Sequence, residues 1–134
     1  MVIDRSAIVA AIANEPDGDV YRTAIKTAPV RVMSAVSLLE TRIVLFSRLG
    51  SNAITTFDEL IARARIVVEP FDESLASAAF DAFRKYGKGQ SNPAQLNIVD
   101  CVVYALARSR NLPLLFRGRD FSHTDIRSAV PFAV

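Results

Sequence analysis

Four acidic residues sit inside apolar stretches or close behind them. Asp4 ends the run "MVID", Glu40 closes "SAVSLLE", Asp100 lies within "LNIVDCVVYALA", and Asp120 follows "LLFRGR". An ionised carboxylate in apolar surroundings must find a cation, hydrogen-bond donors or a proton. Each acid also has a plainer reading: Asp4 could end a strand or cap a helix, and Glu40 could point outward from its helix. Asp100 fits such a reading least, because apolar residues lie on several sides of it in helical projection. Carboxylates meeting in one cleft would repel and hold protons tightly unless a divalent cation lay between them. An all-oxygen donor set selects Mg²⁺ or Mn²⁺. Zinc is disfavoured, since the chain has one His, one Cys and no nitrogen and sulfur ligand spacing. A hard cation held by carboxylates suits hydrolysis of a phosphodiester, so cleavage of a nucleic-acid backbone is the leading reaction class.

Competing chemistries lack their residues. The chain has no GxSxG elbow and no GxxxxGK phosphate loop. His123 stands alone in a polar loop and reads as a surface residue, while Cys101 reads as a small buried hydrophobe. "DRS" after the first apolar run lacks the second Asp of a phosphoaspartate-transferring phosphatase.

Short strands and amphipathic helices must position these acids. "MVID" reads as a strand, Ser6 as the N-cap of a helix closed by Pro16, and Asp17 as the cap of a second helix through about Lys26. "VRVM" (30–33) reads as a second strand. Ser34 caps a helix over 35–49 that contains Glu40 and stops at Gly50. A helix over about 55–65 precedes "IVVEP", a third strand, and Asp72 caps a helix over 73–86. "GKGQSNP" is a loop leading into a helix over about 96–110 that carries Asp100. "LLF" (114–116) reads as a buried fourth strand, and a weakly signalled last strand lies near 128–130. Strands alternating with helices predict a parallel sheet covered on both faces, with ligands beyond the carboxyl ends of the strands.

The 134 residues, 51% hydrophobic and 22% charged, fit one domain and exclude a disordered chain. A net charge of +2 is too small to announce nucleic-acid binding. Arg84, Lys85 and Lys88 around the glycine-containing loop, and five Arg against three Asp over residues 100–134, could form a weak phosphate-facing surface or ordinary solvated charge. A single cysteine excludes an intramolecular disulfide and points to a reducing cytoplasm. No signal peptide is recognisable, and no stretch reaches the roughly 18 apolar residues of a membrane span.

Over nearly its whole length the chain resembles the PIN-domain ribonucleases, and within them the VapC-type toxins of bacterial toxin–antitoxin pairs. The resemblance rests on "MVIDRSAIVAAIANEPD", "SAVSLLE", "NPAQLNIVDCVVYALAR" and "LPLLFRGRDFSHTDI", in that order. It implies an α/β/α sandwich with a central five-stranded parallel sheet, formed by a single PIN domain over residues 1–134. By position, Asp4 and Asp100 match acids that ligate Mg²⁺ or Mn²⁺, while Glu40 and Asp120 match acids that complete the pocket. Asp125 in the same loop is an alternative to Asp120. Ser6 matches a small hydroxyl residue that could hydrogen-bond Asp4 or a metal-bound water. Relatives often show His-Pro-Ala at Asn92-Pro93-Ala94, Gly at Val99, and Asp or Asn at Arg119. The implied activity is metal-dependent hydrolysis of RNA; a non-cutting binding module or a DNA nuclease are the alternatives. The implied partners are a small VapB-like antitoxin, laid across an apolar groove, and a second copy of the chain; the apolar excess from Ala35 to Ile61 reads as that surface or as plain core packing.

Overall fold

The computed structural model, which describes residues 1–131, contains four short parallel strands: β1 (Val2–Ile3), β2 (Val32–Ser34), β3 (Val67–Glu69) and β4 (Leu114–Leu115). They lie in the order β3-β2-β1-β4. Helices α1 (Arg5–Ile12) and α2 (Gly18–Thr27) join β1 to β2, and α3 (Ala35–Leu49) and α4 (Ser51–Arg63) join β2 to β3. Helices α5 (Glu73–Tyr86) and α6 (Ile98–Arg110) join β3 to β4.

Strand alternation sorts the apolar residues into two cores. Val2 registers with Val32 and Leu114, and these three side chains pack with α5 and α6. Ile3, Met33 and Leu115 point the other way, into a core with α1, α2 and α4. The chain steps from β1 to β2 to β3 in one direction, then crosses back to place β4 on the far side of β1. Right-handed crossovers therefore put α5 and α6 on the opposite face from the earlier helices. The winding reverses between β1 and β4, and a crevice opens beyond their carboxyl ends.

The structure corrects several expected boundaries. Among the described residues the sheet has four strands, not five: Ser128 makes only an isolated parallel bridge to Leu114. There the Leu114 N–H donates to the Arg127 carbonyl (2.9 Å) and the Ala129 N–H to the Leu114 carbonyl (2.8 Å). β4 offers only two residues to pair with, and Pro131, which has no N–H, follows closely. The N-cap of α1 is Asp4 rather than Ser6, and α1 ends at Ile12, well before Pro16. α4 starts at Ser51 because Gly50, at φ +83°, turns the chain sharply and the buried pair Ala53 and Phe57, one turn apart, anchors the helix. Among the described residues, no helix is long and apolar enough to cross a membrane.

Candidate active site

Asp4 leaves β1 and caps α1, and only 6% of it remains exposed. Its Oδ2 accepts from the Ser6 backbone N–H (3.1 Å) and from the Ser6 hydroxyl (2.5 Å). Burial pushes its pKa up; the Ser6 hydrogen bonds and the Arg5 charge oppose that, and Asp120 adds to it.

Asp100 occupies the third position of α6, where it closes a capping box. Its N–H donates to Asn97 Oδ1 (2.8 Å), and its Oδ2 accepts from the Asn97 N–H (3.1 Å). From Cys101 to Ala107 every residue of α6 is buried, which fixes the helix and leaves its polar first turn at the site. Burial raises the Asp100 carboxyl to about 6; the Asn97 N–H opposes this, and the charges of Asp4, Asp120 and Glu40 reinforce it.

Glu40 projects from α3 toward Arg5 of α1, whose Nε stands 3.0 Å from Oε1 without the alignment of a hydrogen bond. Burial raises the Glu40 pKa, the Arg5 charge lowers it and Asp4 raises it. Asp120, in the exposed loop after β4, reaches this group through its charge on Asp4 and Asp100. Asp125 faces elsewhere: it accepts from the Tyr104 hydroxyl (2.5 Å), lies 3.9 Å from Arg108, and has its pKa lowered chiefly by the Tyr104 hydrogen bond. The structure thus brings together Asp4, Glu40, Asp100 and Asp120, and leaves Asp125 outside.

The donor set fits a hard divalent cation. Each of the three inner acids commits one oxygen to its own scaffold: Asp4 to Ser6, Asp100 to Asn97 and Glu40 to Arg5. Among the described residues, Oδ1 of Asp4, Oδ1 of Asp100 and Oε2 of Glu40 have no hydrogen-bond or ion-pair partner, while Asp4 raises the proton affinity of Glu40 and Asp100, and Glu40 that of Asp100. These are hard oxygen donors around uncompensated negative charge. Among the described residues, no three acid, His or Cys side chains stand close enough to one another to hold a metal ion as placed.

Two contributors escaped sequence reasoning. Arg5 is a cation inside the acidic group, and its only signal was its place directly after Asp4. The second is a tether: the Arg117 N–H donates to Ser6 Oγ (2.9 Å), and Ser6 Oγ donates to Asp4, so the loop after β4 is tied to the first acid. The three departures from the family pattern lie clear of the acids' hydrogen bonds. Asn92 Oδ1 accepts from the Ala94 N–H (2.8 Å) and shapes its own loop. Val99 packs into the α5 and α6 core, and Arg119 is exposed on the wall of a neighbouring cavity. On α3, Leu39, Ile43, Phe46 and Leu49 form an exposed apolar stripe within the Ala35 to Ile61 surface.

Comparison with known proteins places this geometry. The model of the PIN domain matches residues 1–127. Ribonuclease VapC28 of Mycobacterium tuberculosis is 44% identical over 130 residues, covering 97% of this chain and 98% of that protein. Ribonuclease VapC of Mycolicibacterium smegmatis is 44% identical over 126 residues, covering 94% and 97%. Among solved structures, Mycobacterium tuberculosis VapC20, described as a toxin cleaving the sarcin-ricin loop, superposes with a TM-score of 0.77 at 19% identity over 93% of this chain and 95% of that one. A toxin–antitoxin complex from Klebsiella pneumoniae gives 0.69 at 14% identity over 92% of each chain. At such identities the superpositions speak for the fold.

Proposed function

The chain belongs to the PIN-domain family, in its VapC-type ribonuclease branch, and from that premise we propose that it is an endoribonuclease toxin hydrolysing RNA phosphodiester bonds with Mg²⁺ or Mn²⁺. The observation that carries this reading is the convergence of acid charges on Asp100 at one edge of the sheet: Asp4, Glu40 and Asp120 all raise its proton affinity, and Asp4 also raises that of Glu40. Asp4 and Asp100 would hold the ion directly; Glu40 and Asp120 complete the pocket. Held there, such an ion would supply Lewis-acid polarisation of the phosphodiester and charge for the leaving oxygen. The chain's own residues position the rest. Ser6 orients the Asp4 carboxylate, the Asn97 capping box orients that of Asp100, and Arg5 holds Glu40 against the other acids.

The partner in this reading is a cognate antitoxin that lays an apolar segment along Leu39, Ile43, Phe46 and Leu49 of α3. A homodimer and a cytoplasmic place of action belong to the same proposal. The test uses protein freed of antitoxin, incubated with Mn²⁺ and matched RNA and DNA oligonucleotides, beside the Asp100→Asn variant. RNA cleavage by the native chain and none by the variant is expected. Cleavage confined to DNA, no cleavage of either, or an unchanged rate in the variant overturns the reading.

A further inference from the structure

Beside the acids, on the other side of Ser6, lies a cavity of about 780 Å³ whose wall carries Arg5, Arg48, Arg117, Arg119 and His123, with Asp17 the one acid among its lining residues. Arg48 and Arg117 are held in place by acids. Glu15 stands 3.2 Å from Arg48 Nη2 and 3.9 Å from Arg117 Nη1, and Asp17 Oδ2 accepts from Arg117 Nε at 2.9 Å. Arg119 has no ion pair among the described residues. These pairs sit at partly exposed side chains, where an ion pair is weak and exchanges readily for another anion. Guanidinium forks suit the two free oxygens of a phosphodiester.

We propose that this cavity binds the phosphodiester backbone of the RNA strand flanking the cleaved bond, with Arg48 and Arg119 as the principal contacts. The inference rests on the reading that the chain cleaves RNA. Its physical ground is the placement of opposite charges. The acidic pocket repels a polyanion, so the strand needs positive charge next to it, and the arginine wall begins where the acids end. The Arg117 N–H to Ser6 to Asp4 hydrogen-bond chain fixes the distance between the two. An acidic peptide would also meet the arginines, yet it would have no reason to run toward four carboxylates.

The test measures binding of a short fluorescein-labelled single-stranded RNA by anisotropy in an Asp100→Asn background, with Mg²⁺ present and salt varied. Adding Arg48→Ala and Arg119→Ala should weaken binding at least about fivefold and flatten the log–log salt slope by about 0.7 for each lost contact. Lys26→Ala with Arg63→Ala removes the same charge away from the cavity lining and should change neither. In the native background the cavity variant should raise KM for RNA and leave kcat unchanged. Equal effects from the two double variants, an unchanged slope, or displacement of a labelled polyglutamate peptide but not of RNA would each overturn the proposal. Loss of RNA cleavage by the native chain would instead sink the ribonuclease reading, so the two failures are told apart.

Discussion

The two sides of Ser6 treat charge in opposite ways. On one side the charges of Asp4 and Glu40 act on Asp100, and among the described residues Arg5 is the one cation ion-paired within the group; on the other, Arg48 and Arg117 share Glu15 and Asp17. The arginine side is compensated within the chain at Arg48 and Arg117, but among the described residues not at Arg119. The acidic side is not, and its surplus negative charge persists because α6 and β1 are anchored by buried residues that do not let the acids move apart. Uncompensated like charge held by a rigid scaffold marks where a ligand is meant to complete the electrostatics.

The sharpest break in that contrast comes from the acids themselves. Asp4→Asn or Asp100→Asn should lower RNA cleavage about a thousandfold, the loss of several kcal/mol of transition-state stabilisation, with the fold intact by circular dichroism. Chelation of divalent ions should abolish cleavage as fully, and added Mn²⁺ should restore it.

Ser6→Ala tests the hinge between the two sides. It removes the hydroxyl that donates to Asp4 and accepts from the Arg117 N–H. Cleavage should fall by about 10- to 100-fold, as when an orienting partner of a ligand is lost. A variant of native activity would show that Asp4 needs no orienting.

The pair Asp120 and Asp125 sharpens the boundary. Asp125→Ala strips the Tyr104 hydroxyl of its acceptor and should lower stability by about 1 kcal/mol in urea melts, leaving cleavage within a factor of about two, because surface changes away from a site are nearly neutral. Asp120→Ala should do the reverse, reducing cleavage while sparing stability.

The smallest effect is on pH. An unfolded Asp titrates near 3.9, whereas burial in the folded chain pushes the Asp100 carboxyl up to about 6. Between those values the folded state binds the proton more tightly than the unfolded state does, so this group's contribution to stability falls as pH rises through that window and is level above it. The shift corresponds to at most about 3 kcal/mol, reduced to about 1 kcal/mol for a carboxyl that solvent partly screens. Thermal melts of the metal-free protein at pH 4.5 and 6.5, in roughly the window set by those pKa values, should show this decline, and Asp100→Asn should remove that share of it. Asp4 and Glu40, also raised, push in the same direction.

Much of this was legible in the chain. The helices over 35–49 and 73–86 carry their caps, Ser34 and Asp72, and their apolar spacing within their own residues, so local rules sufficed. Local spacing predicts a start near residue 55 for helix α4, four residues after the observed Ser51, because that start depends on Gly50 reversing the chain and on Ala53 and Phe57 finding a core made by other elements. The fifth strand failed for a related reason: strand pairing is a property of the partner, and β4 leaves only Leu114 for Ser128.

By itself the sequence determined which acids stand in apolar surroundings, since a carboxylate among valines is conspicuous wherever the chain goes. It also determined the alternation of strands and helices, because periods of two and of about 3.6 residues are local geometry. Only the tertiary structure decided that Asp120 joins the acids while Asp125 turns to Tyr104, that Arg5 answers Glu40 from another helix, and that Arg48 and Arg117 meet across one cavity. These are contacts between residues many positions apart, and charge acts through the space that packing creates rather than along the chain.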